Sequence, residues 1–264
     1  MSDAPGRVVD LTRRTVEEGA ELVVVVGGDG TVNEAVNGLL PAGADCELAV
    51  VPCGTGDDFA RTFGIPTDTE EALAVAANGR ARQVDVGRAR FGSGESGSER
   101  YFANFAGAGI SGGIALRGAV TSRRLGARAA YFWATVAVFA RWQNVPMTIE
   151  ADGQTREGRM LEVIVANGAY AAGGMRIAPD ASPDDGQFDV VLIGDASKLD
   201  FMTTFPRIYR GKHVGHPKVD VLRARTVSVT PETALPVVLD GEQPGTTPVA
   251  FENLPGALKL RVPS

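Results

Sequence analysis

The sequence predicts an α/β unit followed by a mainly antiparallel β unit, and three observations support this fold class. Val23–Val26 is a short β-branched run, typical of a parallel strand buried on both faces, and it leads into glycines and a helical pattern. Cys46–Pro52 repeats this strand-then-glycine-turn arrangement. From about residue 80, short alternating runs replace the helical patterns. We therefore expect an α/β domain over residues 1–84, built on a parallel sheet, and a β domain over residues 85–264.

The first unit carries four predicted helices. Val8–Gly19 precedes the first strand, with Val8, Leu11 and Val16 on one side. Thr31–Leu40 follows the first glycine turn, and a further helix begins after the second turn, near Asp58. Glu70–Gly79 ends at an Asn-Gly pair, which is typical of a helix C-terminus.

The second unit shows short strand patterns with two helical interruptions. The strand patterns cover residues 83–91, 100–106, 146–151, 160–166, 186–193, 226–230, 236–239 and 257–262. Residues 92–99 are predicted to form a flexible hairpin tip. Helices are predicted over 123–143 and over Ser197–Arg210, with Ser197 as N-cap. These helices either cover the sheet or line a cleft that accepts a lipid.

Composition excludes several classes of protein. The net charge of −6 and the isoelectric point of 5.1 exclude a nucleic-acid-binding protein, which needs clustered positive charge. Cys46 and Cys53 form neither a disulfide framework nor a zinc motif. The N-terminus does not resemble a signal peptide. The longest apolar-rich run, between Arg128 and Arg141, is too short to cross a bilayer core of about 30 Å. We expect a soluble, cytoplasmic protein.

The two glycine turns predict a phosphate site. Each follows a strand and opens a helix, so bare backbone N–H groups meet at a positive helix terminus. Two such turns in one parallel sheet lie side by side at the carboxyl ends of the strands, where α/β sheets bind ligands. Asp29 in the first turn would repel a bare phosphate, which indicates an intervening Mg²⁺.

Four acidic, glycine-bracketed segments are candidates for the site. They are Gly27–Thr31, Gly54–Asp58, Pro183–Gly186 and Leu239–Glu242. Each alone is a turn signal, but together they indicate carboxylates that converge on phosphate and metal. His213 and His216 lie near a Pro- and Gly-containing loop and are interpreted as solvated histidines.

These segments resemble those of a known family. GGDGTVNEAVNGL, PCGTGDDFAR, NGAYAAGGMRIAPDASPDDGQFDV and LDGE occur in the order found in the diacylglycerol kinase and sphingosine kinase type of lipid kinase, in its soluble bacterial form. GGDGT alone is shared with NAD kinases and phosphofructokinases, whereas the ordered set is highly specific. The resemblance, from Glu21 to Val262, implies an NAD-kinase-like α/β nucleotide-binding domain, a β-sandwich domain, and catalysis between them with ATP and Mg²⁺.

The resemblance also implies roles for individual residues. The nucleotide-binding set is Gly27, Gly28, Asp29, Gly30, Thr31, Gly54, Thr55, Asp58 and Asp85. Asp29 is expected in the metal and phosphate network, and Asp240 as the general base with Glu242 as its partner in the same cleft. The implied Mg²⁺ ligands are Asp185 and the main-chain carbonyls of Ser182 and Gln187.

The sequence departs from the family pattern in three places. A first strand with a turn carrying Asn-Pro and Ser-Gly, which also contacts nucleotide in the family, is not found before Val8. Asp57 stands where Asn is common, and the chain stops soon after Val262, where many relatives return to the first domain. We therefore expect fewer contacts to ATP than in the family.

The leading hypothesis is an ATP-dependent lipid kinase that acts on an alcohol with long chains, diacylglycerol by default. The expected partners are ATP, the lipid alcohol and, transiently, a membrane surface, with a homodimer left open. Membrane contact is assigned to a candidate basic patch of Arg117, Arg123, Arg124 and Arg128, although residues in such a pattern more often form a solvated helical face. The alternatives are an NAD-kinase-like enzyme and a truncated relative that binds nucleotide or lipid as a sensor.

Overall fold

A computed structural model describes residues 6–43, 45–92, 97–121, 138–139 and 141–264, with backbone only for residues 116–121. The helices are α1 (Arg7–Glu17), α2 (Asp29–Ala42), α3 (Asp58–Phe63), α4 (Thr69–Asn78), α5 (Ile110–Thr121) and α6 (Lys198–Ile208). The strands are β1 (Leu22–Gly27), β2 (Glu47–Pro52), β3 (Arg80–Phe91), β4 (Ser98–Phe102), β5 (Phe105–Gly109), β6 (Val145–Ala151), β7 (Gln154–Met160), β8 (Glu162–Ala166), β9 (Phe188–Ile193), β10 (Val219–Ala224), β11 (Thr226–Pro231), β12 (Pro236–Leu239), β13 (Glu242–Thr246) and β14 (Val249–Val262).

The α/β unit is built on β1 and β2, which pair in parallel as predicted. β2 is buried almost throughout, whereas β1 lies at the sheet edge with Val24 44% and Val26 62% exposed. The expectation that the valine run is buried on both faces is therefore wrong for β1, because the face that carries Val24 and Val26 meets solvent while Val25 on the other face is buried. α2 follows the first glycine turn, buries Val32, Val36 and Leu39, and packs against α1.

Two sheets form the second unit. A six-stranded antiparallel sheet, in the order β10-β9-β8-β5-β12-β13, faces an eight-stranded sheet to which β3, β4, β6, β7, β11 and β14 belong. Alternating side chains of both sheets fill the space between them, and the Phe102 ring stacks on Phe188 and meets Phe251 edge-on. The predicted β-sandwich is confirmed.

β14 joins the two units. Its first half pairs with β11 in the sandwich, and at Lys259 and Leu260 it pairs in parallel with β2. Leu258, Leu260 and Val262 lie in the core of the α/β unit, so one residue number does not separate the two cores. The expectation that the chain stops before it returns to the first unit is therefore wrong. The sheet of that unit is mixed, because β3 runs antiparallel to β14.

Most predicted elements are present, with shifted ends. α6 begins with the predicted Ser197 cap, which forms a capping box with Asp200. The strand predicted over 100–106 is two strands, and α5, β7, β10 and β13 were not predicted. The hairpin tip at 92–99 and the helix at 123–143 fall largely outside the described residues. The described part of the chain has no helix that is both long and apolar enough to span a membrane.

Candidate active site

The two glycine turns contact each other, as predicted. A Cβ added to Gly54 would lie 2.6 Å from the Gly28 Cα, so neither turn tolerates a side chain at this crossing. A Cβ on Gly27 would lie 2.5 Å from the Thr31 Oγ1, because the first turn of α2 folds back over the end of β1. The glycines therefore bring the N-termini of α2 and α3 to one edge of the sheet.

Asp57 closes the second turn. It has a left-handed backbone conformation (φ 49°) immediately before α3, and its Oδ1 accepts a hydrogen bond from the Gly54 N–H at 2.9 Å. The carboxylate of Asp57, where Asn is common in the family, thus stabilises the turn.

Asp29 and Asp58 approach each other around Gly56. Their Oδ2 atoms lie 3.0 Å and 3.4 Å from the position that a Cβ on Gly56 would occupy. The Asp29 Oδ1 accepts from the Phe59 N–H at 2.8 Å, whereas its Oδ2 accepts no hydrogen bond from the described residues. Asp29 therefore presents one available oxygen.

Asp58 connects the two units. Its carboxylate accepts from the N–H groups of Gly173 and Gly174, both at 2.7 Å, and pairs with Arg61 at 2.7 Å. Burial raises the pKa of Asp58, and the nearby charge of Asp29 raises it further, against the lowering effect of the Gly173 N–H. The predicted convergence of acidic segments is seen here for Asp29 and Asp58.

A cavity of ≈ 460 Å³ opens between the units at this point. The carboxylates of Asp29, Asp58 and Asp240 lie along it. Its remaining wall is mainly apolar and includes Phe105, Ile114, Ala115 and Val238. A charged end and an apolar wall therefore share one cavity.

Asp240 lies at this cavity, but its carboxylate is fully engaged. Oδ2 accepts from Asn33 Nδ2 at 3.0 Å and from the Ala103 N–H at 2.7 Å. Oδ1 accepts from the Asn104 and Phe105 N–H groups at 3.0 and 2.8 Å. Burial raises the pKa of Asp240, and these donors counteract that effect. This arrangement argues against the predicted base role, because no acceptor position is left for a substrate proton.

Glu242 does not share the cavity with Asp240. It is exposed and lines a second cavity of ≈ 380 Å³, with Glu34 and Arg100. Although the residue is exposed, partial desolvation of its carboxylate raises the pKa of Glu242, and the Glu34 charge adds to the effect. Its Oε1 lies 3.9 Å from the Cβ position of Gly30, so Glu242 adjoins the first turn without being the predicted partner of Asp240.

Asp85 is a buried structural residue. Its carboxylate accepts from the Gly186 N–H at 2.7 Å and from the Gly256 N–H at 2.8 Å, and its side chain does not line the large cavity. The predicted nucleotide contact is not supported, because both oxygens accept from backbone N–H groups, one in the loop at Gly186 and one at the irregularity of β14 at Gly256. Thr55 is exposed in the second turn, and its contact to a nucleotide stays a prediction.

The loop around Asp185 does not fit a Mg²⁺ site in this arrangement. The Asp185 Oδ2 forms an ion pair with Arg223, and its Oδ1 accepts from the Gln187 N–H at 3.1 Å. The Ser182 hydroxyl donates to Asp184 at 2.8 Å. A cation here would have to displace the guanidinium. Among the described residues no cluster of three or more acidic, His or Cys side chains is placed to hold a metal.

Asp29 and Asp58 fit a Mg²⁺ that arrives with a nucleotide. Mg²⁺ is commonly held by one or two carboxylates together with substrate phosphates. The Oδ2 atoms of Asp29 and Asp58 both lie near Gly56. Among the described residues the Asp29 Oδ2 accepts no hydrogen bond, and the Asp58 Oδ2 accepts only the one from the Gly173 N–H, because Arg61 and the Gly174 N–H bind the Asp58 Oδ1. The chemistry of this pair therefore matches the expected cosubstrate better than the Asp185 loop does.

Two parts of the cavity were not predicted. Asn104 spans the units, since its Nδ2 donates to the Tyr170 carbonyl at 2.5 Å and its Oδ1 accepts from the Thr62 hydroxyl at 3.1 Å. Glu162 is fully buried behind Ser111 and accepts from its N–H at 2.7 Å and its hydroxyl at 2.8 Å. Burial raises the pKa of Glu162 to about 7. A lone Glu inside the apolar run LEVIVA was the available signal.

The two histidines lie in different surroundings. His213 is buried and bonds the Ile177 carbonyl at 2.9 Å, so its interpretation as a solvated residue is wrong, whereas His216 is partly exposed. Burial lowers the pKa of His213. The side chains of Arg117, Arg123, Arg124 and Arg128 lie outside what the structure describes.

Two family models match the chain. The diacylglycerol kinase catalytic domain matches residues 2–89. The YegS C-terminal NAD kinase beta sandwich-like domain matches residues 106–262. The two matches follow the observed order of an α/β unit and a β-sandwich.

Known proteins support the same assignment. The chain is 30% identical to a diacylglycerol kinase of Staphylococcus carnosus, over 96% of this chain and 80% of that protein. It is 31% identical to a diacylglycerol kinase of Bacillus subtilis, over 89% of this chain and 75% of that protein. A solved diacylglycerol kinase structure from Bacillus anthracis superposes with a TM-score of 0.74 at 26% identity, over 99% of this chain and 83% of that one.

A yeast NADH kinase structure shares the fold alone. It superposes with a TM-score of 0.53 at 15% identity, over 93% of this chain and 62% of that one. The family matches, the two curated relatives and the bacterial structure agree with the two-unit architecture built around the glycine turns. The chain belongs to the family of bacterial diacylglycerol kinases, with an NAD-kinase-like α/β unit and a YegS-type C-terminal β-sandwich.

Proposed function

We propose that the protein is an ATP- and Mg²⁺-dependent kinase that transfers the γ-phosphate of ATP to the hydroxyl of a lipid alcohol such as diacylglycerol. The observation that carries this proposal is the single cavity in which Asp29 and Asp58 meet an apolar wall. A kinase family implies a nucleotide phosphate donor. The acceptor is inferred from the chemistry of the wall and from the names of the relatives.

The donor side of the site is formed by the two glycine turns. Backbone N–H groups at the starts of α2 and α3 suit an anion such as a phosphate. Asp29 and Asp58 would hold the Mg²⁺ of a nucleotide. When bound, that ion would neutralise the charge of the transferred phosphoryl group.

The acceptor side is formed by the apolar wall. Ile114 and Ala115 of α5 lie opposite Val238 and Phe105, so an acyl chain would find apolar neighbours beyond the carboxylates. Each buried methylene contributes about 0.8 kcal/mol, without selecting one headgroup. This wall favours a lipid over a second nucleotide, and thereby over an NAD-kinase-like activity.

Asp240 is assigned to positioning. It holds the Ala103–Phe105 segment against α2 and so fixes Asn104 and Phe105 at the wall of the cavity. Phosphoryl transfer has a loose transition state, and orientation of the attacking hydroxyl contributes more than covalent assistance. A base role would require Asp240 to release one of its four hydrogen bonds.

A lipid panel tests the proposal. Purified protein with Mg²⁺ and radiolabelled ATP is offered diacylglycerol, ceramide, a sphingoid base, a polyprenol and NAD, with the Bacillus subtilis relative as the control for assay conditions. We expect label in the lipid fraction, most strongly in diacylglycerol. Label in NAD alone would identify an NAD kinase. Labelled lipid with the relative but none with this chain would support a non-catalytic sensor. Cytoplasmic location and a homodimer stay predictions.

A further inference from the structure

The outer face of α6 exposes large apolar side chains. Leu199 is 70% exposed and Met202 68%, the two highest values among the large hydrophobic residues that the structure describes, and Tyr209 beyond the helix is 49% exposed. Leu199, Met202 and Pro206 follow one another at helical spacing. The opposite face packs inward through Phe201, Phe205 and Ile208. The helix therefore carries apolar groups on both faces although one of them meets solvent.

Basic residues are concentrated at the two ends of α6 and just after it. Residues 198–212 contain four basic residues, Lys198, Arg207, Arg210 and Lys212, against one acid, in a chain with a net charge of −6. That acid, Asp200, pairs with Lys218 at 2.8 Å. Arg207, Arg210 and Lys212 are exposed and form no ion pair with described residues. The segment is thus a local cationic region on an acidic protein.

The helix is connected to the wall of the large cavity. The Phe201 ring stacks on Phe139 with centroids 4.1 Å apart and belongs to one apolar cluster with Ile114 and Leu161. Ile114 also lines the cavity between the units. The inner face of α6 and the wall assigned to the lipid therefore share one apolar cluster.

We propose that the outer face of α6 docks on an anionic lipid surface, with Leu199 and Met202 inserted below the headgroups and Arg207, Arg210 and Lys212 at the phosphates. Exposed apolar side chains next to basic ones are the pattern of interfacial helices. A second copy of the chain fits less well, because a two-fold contact would bring these cations near one another. The inference rests on the proposed lipid kinase function, which requires access to an acceptor held in a bilayer.

Vesicle co-sedimentation tests the docking surface. The intact protein is mixed with phosphatidylcholine vesicles with and without phosphatidylglycerol. We expect binding to the anionic vesicles, reduced by roughly tenfold or more in the double variant Leu199→Ser, Met202→Ser. The matched control is Leu11→Ser, Leu73→Ser, two leucines that are each 49% exposed on α1 and α4. This control should bind like the wild type.

The charged residues have a separate test. The variant Arg207→Ser, Arg210→Ser should bind anionic vesicles about threefold or more weakly at low salt and lose most of the salt dependence of binding. Equal binding of the wild type and both α6 variants would overturn the proposal. So would a light-scattering result in which the wild type is a dimer and Leu199→Ser, Met202→Ser is a monomer with unchanged vesicle binding.

Kinase activity measured in detergent micelles and in anionic vesicles separates the docking proposal from the proposed function. With a short-chain diacylglycerol in detergent micelles, the Leu199→Ser, Met202→Ser variant should retain the wild-type rate. With diacylglycerol in anionic vesicles, its rate should fall in proportion to its binding. A wild type that binds vesicles but labels no lipid in either format would overturn the kinase proposal alone. Full activity of the variant on vesicles would overturn the docking proposal alone.

Discussion

Asp29 and Asp240 lie at the same cavity and come from similar glycine-bracketed turns, yet their environments are opposite. Asp29 accepts one hydrogen bond on Oδ1, and its Oδ2 is available among the described residues. Asp240 accepts four, which fill both oxygens. The same local motif thus presents a carboxylate to a ligand in one case and stabilises the wall of the site in the other.

Asp240 and Asp85, in which both carboxylate oxygens accept hydrogen bonds, lie where chain segments from different parts of the fold meet. Asp240 joins the turn after β12 to α2 and to the break between β4 and β5. Asp85 joins β3 to the loop at Gly186 and to the irregularity of β14 at Gly256. A buried carboxylate with such donors stabilises a junction, and it is costly to replace because the donors lose their partner.

The largest expected effect is on catalysis at Asp29. Asp29→Asn removes the charge that would face a nucleotide-bound Mg²⁺, so the rate of phosphoryl transfer should fall by about a thousandfold, or about 4 kcal/mol. The free energy of unfolding should change by less than about 0.5 kcal/mol, because the remaining carbonyl oxygen can still accept from the Phe59 N–H. Initial rates and urea denaturation measure both. The exposed Asp10→Asn should change neither.

A pH-dependent effect of somewhat smaller size is expected at Glu162. Its folded-state pKa of about 7 lies above the ordinary glutamate value of 4.5, so its ionisation opposes folding. This destabilisation is absent below about pH 4.5, grows as the pH rises towards 7, and is then constant at about 3 kcal/mol. Glu162→Gln does not titrate and can keep both contacts to Ser111.

Urea denaturation of the wild type and Glu162→Gln between pH 4.5 and 8 checks this expectation. The variant should gain about 3 kcal/mol relative to the wild type across the interval, since the titration of all other groups cancels in the difference. Stability curves that run parallel would show that Glu162 has an ordinary pKa.

Asp240→Asn should cost about 2 kcal/mol of unfolding free energy. The amide –NH₂ would face two donors where the carboxylate offered an acceptor, so at least one buried donor loses its partner. Thermal and urea denaturation report the loss directly. An unchanged midpoint would contradict the view that Asp240 stabilises this junction.

The smallest effect is expected at Asp185. Its ion pair with Arg223 is half exposed on the guanidinium side, and Asp185→Asn should therefore cost less than about 1 kcal/mol. Because the carboxylate is already paired, millimolar Mg²⁺ should not raise the melting temperature of the wild type more than that of the variant. A Mg²⁺-dependent stabilisation that Asp185→Asn removes would establish the metal site that the structure does not support.

Local patterns predicted the parts of the fold in which apolar residues define the element. β2 is a buried β-branched run and was found, whereas β7 reads QTREGRM, leaves most of its side chains in solvent and has no apolar pattern. α5 was missed because Gly112 and Gly113 indicate a turn. In the structure Gly112 lets the Pro236 backbone approach the helix, and Gly113 lies against the Val138 and Trp142 side chains.

The sequence predicted the surroundings of a site residue only where its neighbours in the chain determine them. Asp29 and Asp58 follow directly from the glycine turns, and the structure brings them together. The state of Asp240 could not be predicted, because its backbone donors lie about 135 residues away in sequence, at a break between two strands that the pattern joined into one. The surroundings of Asp85 could not be predicted for the same reason, since its donors, the Gly186 and Gly256 N–H groups, are distant in sequence.

The most direct test of the different roles of Asp29 and Asp240 compares the variants Asp29→Asn and Asp240→Asn. For each variant, the rate of diacylglycerol phosphorylation per folded molecule and the free energy of unfolding are measured. Asp29→Asn is predicted to be fully folded and about a thousandfold slower. Asp240→Asn is predicted to be less stable, with a raised KM for the lipid and a smaller loss of kcat. A fully stable Asp240→Asn with no turnover, beside an active Asp29→Asn, would contradict the account and establish Asp240 as the base.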